Sequence, residues 1–167
     1  MNLMDFPNKF KIILFEGTDS IKFGMTSEEI QLILLKKPKI FKKIFYIPYD
    51  TENYDICHVY YEPNEEGKLV CGAIEFMPEA EVYINDIKLL GMGNKTAFKI
   101  FKDIFPDSEQ NVDTYRSAKS CISLFSFKHK VSTIYITRKG YEENFKKVEE
   151  KAFREYMNTK SKERVNE

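Results

Sequence analysis

Alternation of apolar and polar residues with a period of two dominates the middle of the chain. Each alternating run is bounded by turn residues, and EPNEEG, with its Pro, Asn and Gly, joins the two longest runs. A second hairpin is predicted around Asn85–Asp86, although its turn has no Gly. The predicted strands cover residues 10–15, 56–61, 68–76, 81–84, 87–90, 112–115, 121–127 and 131–137.

Helical periodicity separates these strands. Thr26 followed by Glu29 forms a capping box that predicts the start of a helix, and Pro38 ends that helix. Apolar stripes predict two further helices, at residues 95–105 and about 141–157. Residues 40–45 also have helical spacing, although a short strand toward Ile47 is an alternative.

The order of these elements predicts an α+β fold. Helices and antiparallel hairpins are segregated along the chain, so we expect one curved antiparallel sheet with helices packed on one face. A helix followed by strands occurs at residues 20–90 and again at 91–138. The chain could therefore consist of two tandem repeats with the same order of elements. We predict a single domain at 1–158 and a polar tail at 159–167.

Strand alternation divides the predicted sheet into two faces. If EPNEEG closes its hairpin symmetrically, Val59 lies opposite Val70. The core face then carries Cys57, Val59, Val70, Gly72, Ile74, Phe76, Ile122, Leu124, Ile134 and Ile136. The opposite face carries Ile56, His58, Tyr60, Leu69, Cys71, Ala73, Glu75, Ser123, Phe125, Thr133 and Tyr135, with Tyr83 expected to join them. One interpretation is that this aromatic face binds a protein. The other is that the last helix, or a second copy of the chain, covers the face.

Composition narrows the function. The 167 residues include 26 basic and 26 acidic ones, and Arg occurs only four times, which argues against a dedicated nucleic-acid or membrane-surface binder. No apolar run reaches the length of a membrane span. The three cysteines have no CxxC spacing, so we expect free thiols in a reducing cytoplasm and no structural zinc site.

Common catalytic motifs do not occur in the sequence. GMGN at residues 91–94 has neither the dinucleotide fingerprint nor a P-loop lysine, and there is no GxSxG or HExxH. Cys57 and His58 are neighbours on a strand and therefore point to opposite faces. An enzyme would need His58, Tyr60 and Glu75 to converge in a cleft with shifted pKa values.

Charge is unevenly distributed. Residues 62–86 contain seven acidic residues and one lysine, which indicates either a solvated turn or a surface that engages a basic partner. A group of lysines surrounds Pro38, and a solvated helix face is the simplest interpretation of it.

Two segments resemble known bacterial proteins. Residues 23–38, with Gly24, Met25, Thr26, Glu29, Ile30 and Pro38, resemble the motif that opens the repeat of the β-lactamase inhibitory protein-like fold, although Lys replaces the usual Gly within LLKKP. Residues 58–91 and the closing Lys139–Gly140–Tyr141 are similar to immunity proteins of polymorphic-toxin and contact-dependent inhibition systems. The resemblance implies a protein that acts by binding another protein.

These observations predict a non-catalytic, cytoplasmic immunity protein that neutralises a cognate, possibly basic, toxin domain. The alternative is a small-ligand-binding or regulatory module that uses the aromatic sheet face. We expect a monomer or homodimer without cofactor, metal, nucleic acid or membrane. The candidate partner-binding residues are His58, Tyr60, Glu62, Glu65, Glu66, Glu75, Tyr83, Phe125 and Tyr135.

Overall fold

A computed structural model describes residues 8–165 and gives an α+β fold. The strands are β1 (Lys9–Ile13), β2 (Gly17–Thr18), β3 (Lys39–Phe41), β4 (Thr51–Asn53), β5 (Cys57–Pro63), β6 (Leu69–Phe76), β7 (Glu81–Ile84), β8 (Ile87–Lys88), β9 (Glu109–Gln110), β10 (Thr114–Ser117), β11 (Ile122–Phe127) and β12 (Lys130–Thr137). The helices are α1 (Ser27–Leu34), α2 (Asn94–Ile104) and α3 (Tyr141–Val165). Residues 1–7 and 166–167, the ends of the predicted domain and tail, lie outside the described residues.

The strands form two sheets. The larger sheet has eight strands in the order β3-β4-β5-β6-β12-β11-β10-β9, and every neighbouring pair is antiparallel. The smaller sheet has the order β2-β1-β7-β8, in which β1 and β7 are parallel. The predicted α+β class with a curved antiparallel sheet is therefore confirmed.

One main core lies on the face of the larger sheet that packs against α1, α2 and the smaller sheet. Ile30 of α1 and Phe101 of α2 are fully buried in it, together with Ile74 of β6 and Ile134 of β12. We call the opposite side of the larger sheet the second face. It carries a small cluster in which Tyr60 and Ala73 pack with residues at the start of α3.

The capping box is confirmed. The backbone N–H of Thr26 donates to Glu29 Oε2 at 2.8 Å, and the Thr26 hydroxyl accepts from the Glu29 backbone N–H at 3.4 Å. Helix α1 ends at Leu35, whose φ of 50° lies in the left-handed region, before Pro38 is reached. The second hairpin also forms as predicted, because Asn85 and Asp86 both adopt the positive φ that a tight type I′ turn requires.

The predicted helix at residues 40–45 is wrong. Lys39–Phe41 forms strand β3 at the edge of the larger sheet, where Ile40 pairs with Glu52 of β4, and the segment after Phe41 forms turns. The lysines around Pro38 therefore lie on no helix face. Four of them form ion pairs, Lys36 and Lys39 with Asp55, Lys42 with Asp50 and Lys43 with Glu75.

A β-bulge changes the predicted hairpin register. Tyr60 pairs with Ala73 and Tyr61 with Cys71, so Gly72 has no partner in β5, and Val59 lies opposite Ile74 instead of Val70. Cys71 consequently faces the main core, whereas Gly72 faces α3 on the second face. The core-face assignment of Cys57, Val59, Ile74, Phe76, Ile122, Leu124, Ile134 and Ile136 is confirmed.

Candidate functional site

Three segments that are distant in sequence enclose a cleft on the second face. Tyr60 and Tyr135 lie on its floor, the first turns of α3 contribute Tyr141 and Phe145, and residues 43–51 form the remaining wall. The cleft has a volume of about 180 Å³. A second cleft of about 290 Å³ continues along α3 and shares Tyr49, Tyr61, Tyr141 and Phe145 with the first. We call the first of these the tyrosine cleft.

The bulge at Gly72 shapes this cleft. A Cβ atom on Gly72 would lie 2.5 Å from Cδ2 and 2.8 Å from Cε2 of Tyr141, so only glycine lets the tyrosine ring approach the sheet this closely. Phe145, one turn later, stacks on Tyr141 with ring centroids 6.0 Å apart. The start of α3 therefore covers the Tyr60 end of the second face.

A cluster of polar groups lies beside the floor of the cleft. Glu75 Oε2 accepts a hydrogen bond from the Tyr60 hydroxyl at 2.6 Å and forms an ion pair with Lys43 Nζ at 3.3 Å. Lys43 Nζ also donates to the Tyr60 hydroxyl at 2.8 Å. His58 Nδ1 lies 3.7 Å from the same carboxylate oxygen, and its ring packs against Phe41.

His58, Tyr60 and Glu75 thus converge, but the pKa shifts of Tyr60 and Glu75 do not suit acid–base catalysis. Burial alone would raise the pKa of Glu75, yet the contacts from His58 and Tyr60 and the charge of Lys43 lower it to about 2. Burial and the hydrogen bond to Glu75 raise the pKa of Tyr60 above its ordinary value. A general acid or base works best with a pKa near the operating pH, and both shifts move away from neutrality. The arrangement is that of a neutralised ion-pair cluster.

The acidic residues of the first hairpin separate into two groups. Glu62 is largely buried and forms an ion pair with Arg138, while Glu65 and Glu66 are exposed on the β5–β6 turn. Two of the acidic side chains predicted to face a partner, Glu62 and Glu75, are therefore already paired within the chain. Among the four acidic residues predicted to bind a partner, Glu65 and Glu66 are the two without a cation partner in residues 8–165.

The remaining predicted site residues do not all meet. Tyr135 packs edge-on against Tyr60 with centroids 6.0 Å apart, as expected for one shared face. Phe125 lies in β11 opposite Thr133, outside the cluster formed by Tyr60, Tyr135 and the start of α3. Tyr83 lies in the smaller sheet, with the Lys9 ammonium 5.2 Å from its ring centroid, so its expected place beside Tyr60 is wrong.

An aromatic patch, which the sequence analysis did not single out, lies at the side of the clefts. Phe45 packs edge-on against Tyr156 at 5.0 Å, and Tyr46 contacts both Tyr156 and Phe153. Phe45 is 67% exposed, and Phe153 and Met157 are each 47% exposed. We call Phe45, Tyr46, Phe153, Tyr156 and Met157 the rim patch. The density of aromatics in FYIPY, residues 45–49, was the available signal.

Glu52 is a second feature that the sequence pattern did not reveal. This carboxylate is only 6% exposed and accepts hydrogen bonds from the hydroxyls of Ser27, Tyr54 and Tyr61. Burial and the bond to Glu52 raise the pKa values of both tyrosines above their ordinary value. The network ties α1 to strands β4 and β5, because its members come from all three elements.

Residues 8–165 contain neither a candidate metal site nor a candidate membrane-spanning helix. No group of three or more His, Cys, Asp or Glu side chains in this range could hold a metal ion. Within the same range, no helix has both the length and the apolar character needed to cross a membrane.

Comparison with protein-family models, curated proteins and solved structures finds no match to this chain. The resemblance to immunity proteins and to the β-lactamase inhibitory protein-like fold thus stays a prediction from the motifs in the sequence.

Proposed function

We propose that this chain is a non-catalytic, cytoplasmic protein-binding protein of the immunity type, which neutralises a cognate toxin domain by covering its active site. The rim patch carries the proposal. Contiguous exposed apolar surface on a folded domain marks an interaction site, and aromatic residues and Met are the types enriched at protein interfaces. The motif resemblance supplies the class of partner.

The rim patch replaces the aromatic sheet face as the proposed contact surface. Tyr60 is only 8% exposed and lies under α3, so a partner cannot rest on it. Phe45 and Phe153, in contrast, project from two different segments and are supported from behind by Tyr46 and Tyr156. Such preorganised aromatic side chains lose little conformational entropy when they bind, which is typical of interface hot spots.

The exposed carboxylates of Glu65 and Glu66 add a secondary, electrostatic contribution to the proposal. They favour approach of a basic partner and would affect the association rate more than the final affinity. Glu75 and Glu62, in contrast, are paired with Lys43 and Arg138 and are not available to a partner.

The proposal predicts that a gene adjacent to this one encodes the cognate toxin domain, and the test uses that domain. Purified full-length protein should bind that domain and protect cells that express it. Combined Phe45→Ser and Phe153→Ser substitutions should weaken binding at least about tenfold, because truncated hot-spot aromatics typically cost more than 1 kcal/mol each. Phe127→Ser is the matched control, since Phe127 is equally exposed at 66% but lies at the end of β11.

The proposal fails if the wild-type protein neither binds the toxin domain nor protects cells from it. It also fails in its assignment of the surface if Phe127→Ser weakens binding as much as the double substitution in the rim patch.

A further inference from the structure

Five tyrosines line the tyrosine cleft, and the hydroxyls of three of them, Tyr49, Tyr135 and Tyr141, form no hydrogen bond with residues 8–165. Of these three residues, Tyr135 and Tyr141 belong to the buried cluster of the second face, in which Tyr141 is 3% exposed and Tyr135 is partly buried. The hydroxyls of Tyr54, Tyr60 and Tyr61 are all hydrogen-bonded. A hydroxyl without a partner in the protein remains able to donate a hydrogen bond to a ligand.

The hydroxyls of Tyr135 and Tyr141 are not sealed inside the protein. Within residues 8–165 the one side-chain nitrogen or oxygen that is both sealed from solvent and without a hydrogen bond is Ser108 Oγ, so the oxygens of Tyr135 and Tyr141 are not sealed. Both residues line the tyrosine cleft, and Tyr141 also lines its continuation along α3. Burial raises the pKa values of both phenols, which keeps them protonated and able to donate.

The rest of the lining combines hydrocarbon surface with charged groups that are paired within the protein. Ile44, Ile47 and Phe145 supply hydrocarbon surface. The cations at the edge are already paired, Lys43 with Glu75 and Lys42 with Asp50. A charged ligand would have to be desolvated without gaining a free counter-charge, so the cleft favours a neutral ligand.

We propose that the tyrosine cleft binds a small, uncharged, planar aromatic molecule whose hydrogen-bond acceptor receives the hydroxyls of Tyr135 and Tyr141. The volume of about 180 Å³ lies below the range of about 300–1,000 Å³ of drug-sized pockets and accommodates one ring system. Aromatic walls favour a flat ring, and the two donors fix its orientation. This ligand site is separate from the rim patch and does not depend on the proposed partner.

Benzamide serves as the probe, because it combines one ring with a neutral carbonyl acceptor. Three related compounds each change one property of the probe. Benzoate carries a negative charge, benzylamine carries a positive charge, and cyclohexanecarboxamide has a ring that is not planar. Each compound is titrated into isotope-labelled full-length protein, and amide chemical shifts are followed by NMR. We expect benzamide to shift the amides of Tyr135, Tyr141 and Phe145. It should bind at least about fivefold more tightly than the other three compounds, because benzoate and benzylamine must desolvate a charge and cyclohexanecarboxamide lacks the flat ring.

The variant Tyr135→Phe/Tyr141→Phe should weaken benzamide binding at least about fivefold while leaving the thermal midpoint unchanged, since neither hydroxyl bonds to the protein. Each single variant should show a smaller loss. Tyr83→Phe, in the smaller sheet, is the control and should bind benzamide as the wild type does.

Several results would overturn the proposal. These are the absence of saturable shifts at these residues, equal binding by the double phenylalanine variant, or tighter binding of benzoate or benzylamine. If the Phe45→Ser/Phe153→Ser protein loses benzamide binding and the tyrosine variant keeps it, the ring binds at the rim patch instead. A last possible result is that benzamide does not bind, whereas binding of the toxin domain depends on Tyr135 and Tyr141. The cleft would then receive a side chain of the partner, and the proposal of a small-molecule site would be wrong.

Discussion

Glu75 shows how a single carboxylate organises the second face of the sheet. Its oxygens join Lys43 from the β3–β4 segment to His58 and Tyr60 of β5, so one residue of β6 holds three groups in place. The alternation of strand residues placed all three predicted members on one face, which is why they could be grouped from the sequence. Lys43 could not, because its segment was predicted to be helical.

The low pKa of Glu75 links this cluster to acid stability. Since the pKa of about 2 in the folded state lies below the ordinary 4.5, the stabilisation is complete above pH 4.5 and is lost as the pH falls toward 2. The contribution is about 2–3 kcal/mol. Glu75→Gln should therefore lower the free energy of unfolding by about 2 kcal/mol at pH 7 and flatten its pH dependence between 4.5 and 2.

Urea unfolding at a series of pH values checks this expectation. Glu79→Gln is the control, because Glu79 is exposed and no described cation pairs with it, and its effect should stay within about 0.5 kcal/mol. An identical pH dependence for Glu75→Gln and the wild type would contradict the stabilising role of the cluster.

Gly72 sets the distance between α3 and the sheet. Gly72→Ala brings a methyl group into the ring of Tyr141 and within 3.0 Å of Glu62 Cδ, and should destabilise the protein by about 1–3 kcal/mol. The same substitution should cost at least about 1 kcal/mol less in a Tyr141→Ala background, because contacting residues are energetically coupled. Equal costs in the two backgrounds, measured by chemical denaturation, would show that the ring is not the obstacle.

At the level of elements, features that depend on neighbouring residues were predicted correctly, whereas the register of the first hairpin was not. The capping box at Thr26, the hairpin at Asn85–Asp86 and the stripe of α2 each depend on neighbouring residues, and all three formed where expected. The bulge at Gly72 was not predicted, because EPNEEG suggested a symmetric hairpin and one unpaired glycine leaves little trace in an alternating pattern. Residues 39–41 became a strand because β4 offers backbone partners, a non-local interaction that overrides helical spacing.

Helix α3 has two parts that differ in their contacts. Up to Tyr156 it packs against the cleft and the rim patch, whereas residues 159–164 are all exposed, although the helix extends past the predicted end at Met157 to Val165. A chain that ends at Asn158 should therefore keep its stability within about 0.5 kcal/mol. A chain that ends at Glu150 loses Phe153 and Tyr156 and should be destabilised by at least about 1–2 kcal/mol.

Thermal and urea unfolding of the two truncated chains tests this division. A large loss from the chain that ends at Asn158 would mean that the exposed last turns stabilise the rest of the helix more than their contacts indicate.

For the whole molecule, the fold class could be predicted and the site could not. Segregated helices and hairpins indicate α+β because each element needs a partner for its apolar face. The tyrosine cleft, in contrast, combines residues near 43–51, 60, 135 and 141–145, and no local pattern indicates that these segments meet. The equal numbers of acidic and basic residues likewise concealed a set of internal ion pairs.

The two sheets share one core. Phe10 of β1 is fully buried and its ring lies 5.2 Å from that of Phe76 in β6, so each sheet buries part of the other. Phe10→Ala should then destabilise the whole molecule by about 3–5 kcal/mol and not only the smaller sheet. Phe15→Ala, at a position 44% exposed, should change stability by less than about 0.5 kcal/mol.

Native-state hydrogen exchange distinguishes global from local loss. If the chain unfolds as one unit, Phe10→Ala lowers the opening free energies of the Val82 amide in β7 and the Ile134 amide in β12 by the same amount. A decrease confined to Val82 would show that the smaller sheet opens alone and that its burial of Phe76 contributes little to the larger sheet. Because Phe10 contacts Phe76 directly and Ile134 pairs with Phe76 in the sheet, we expect the loss to extend to β12.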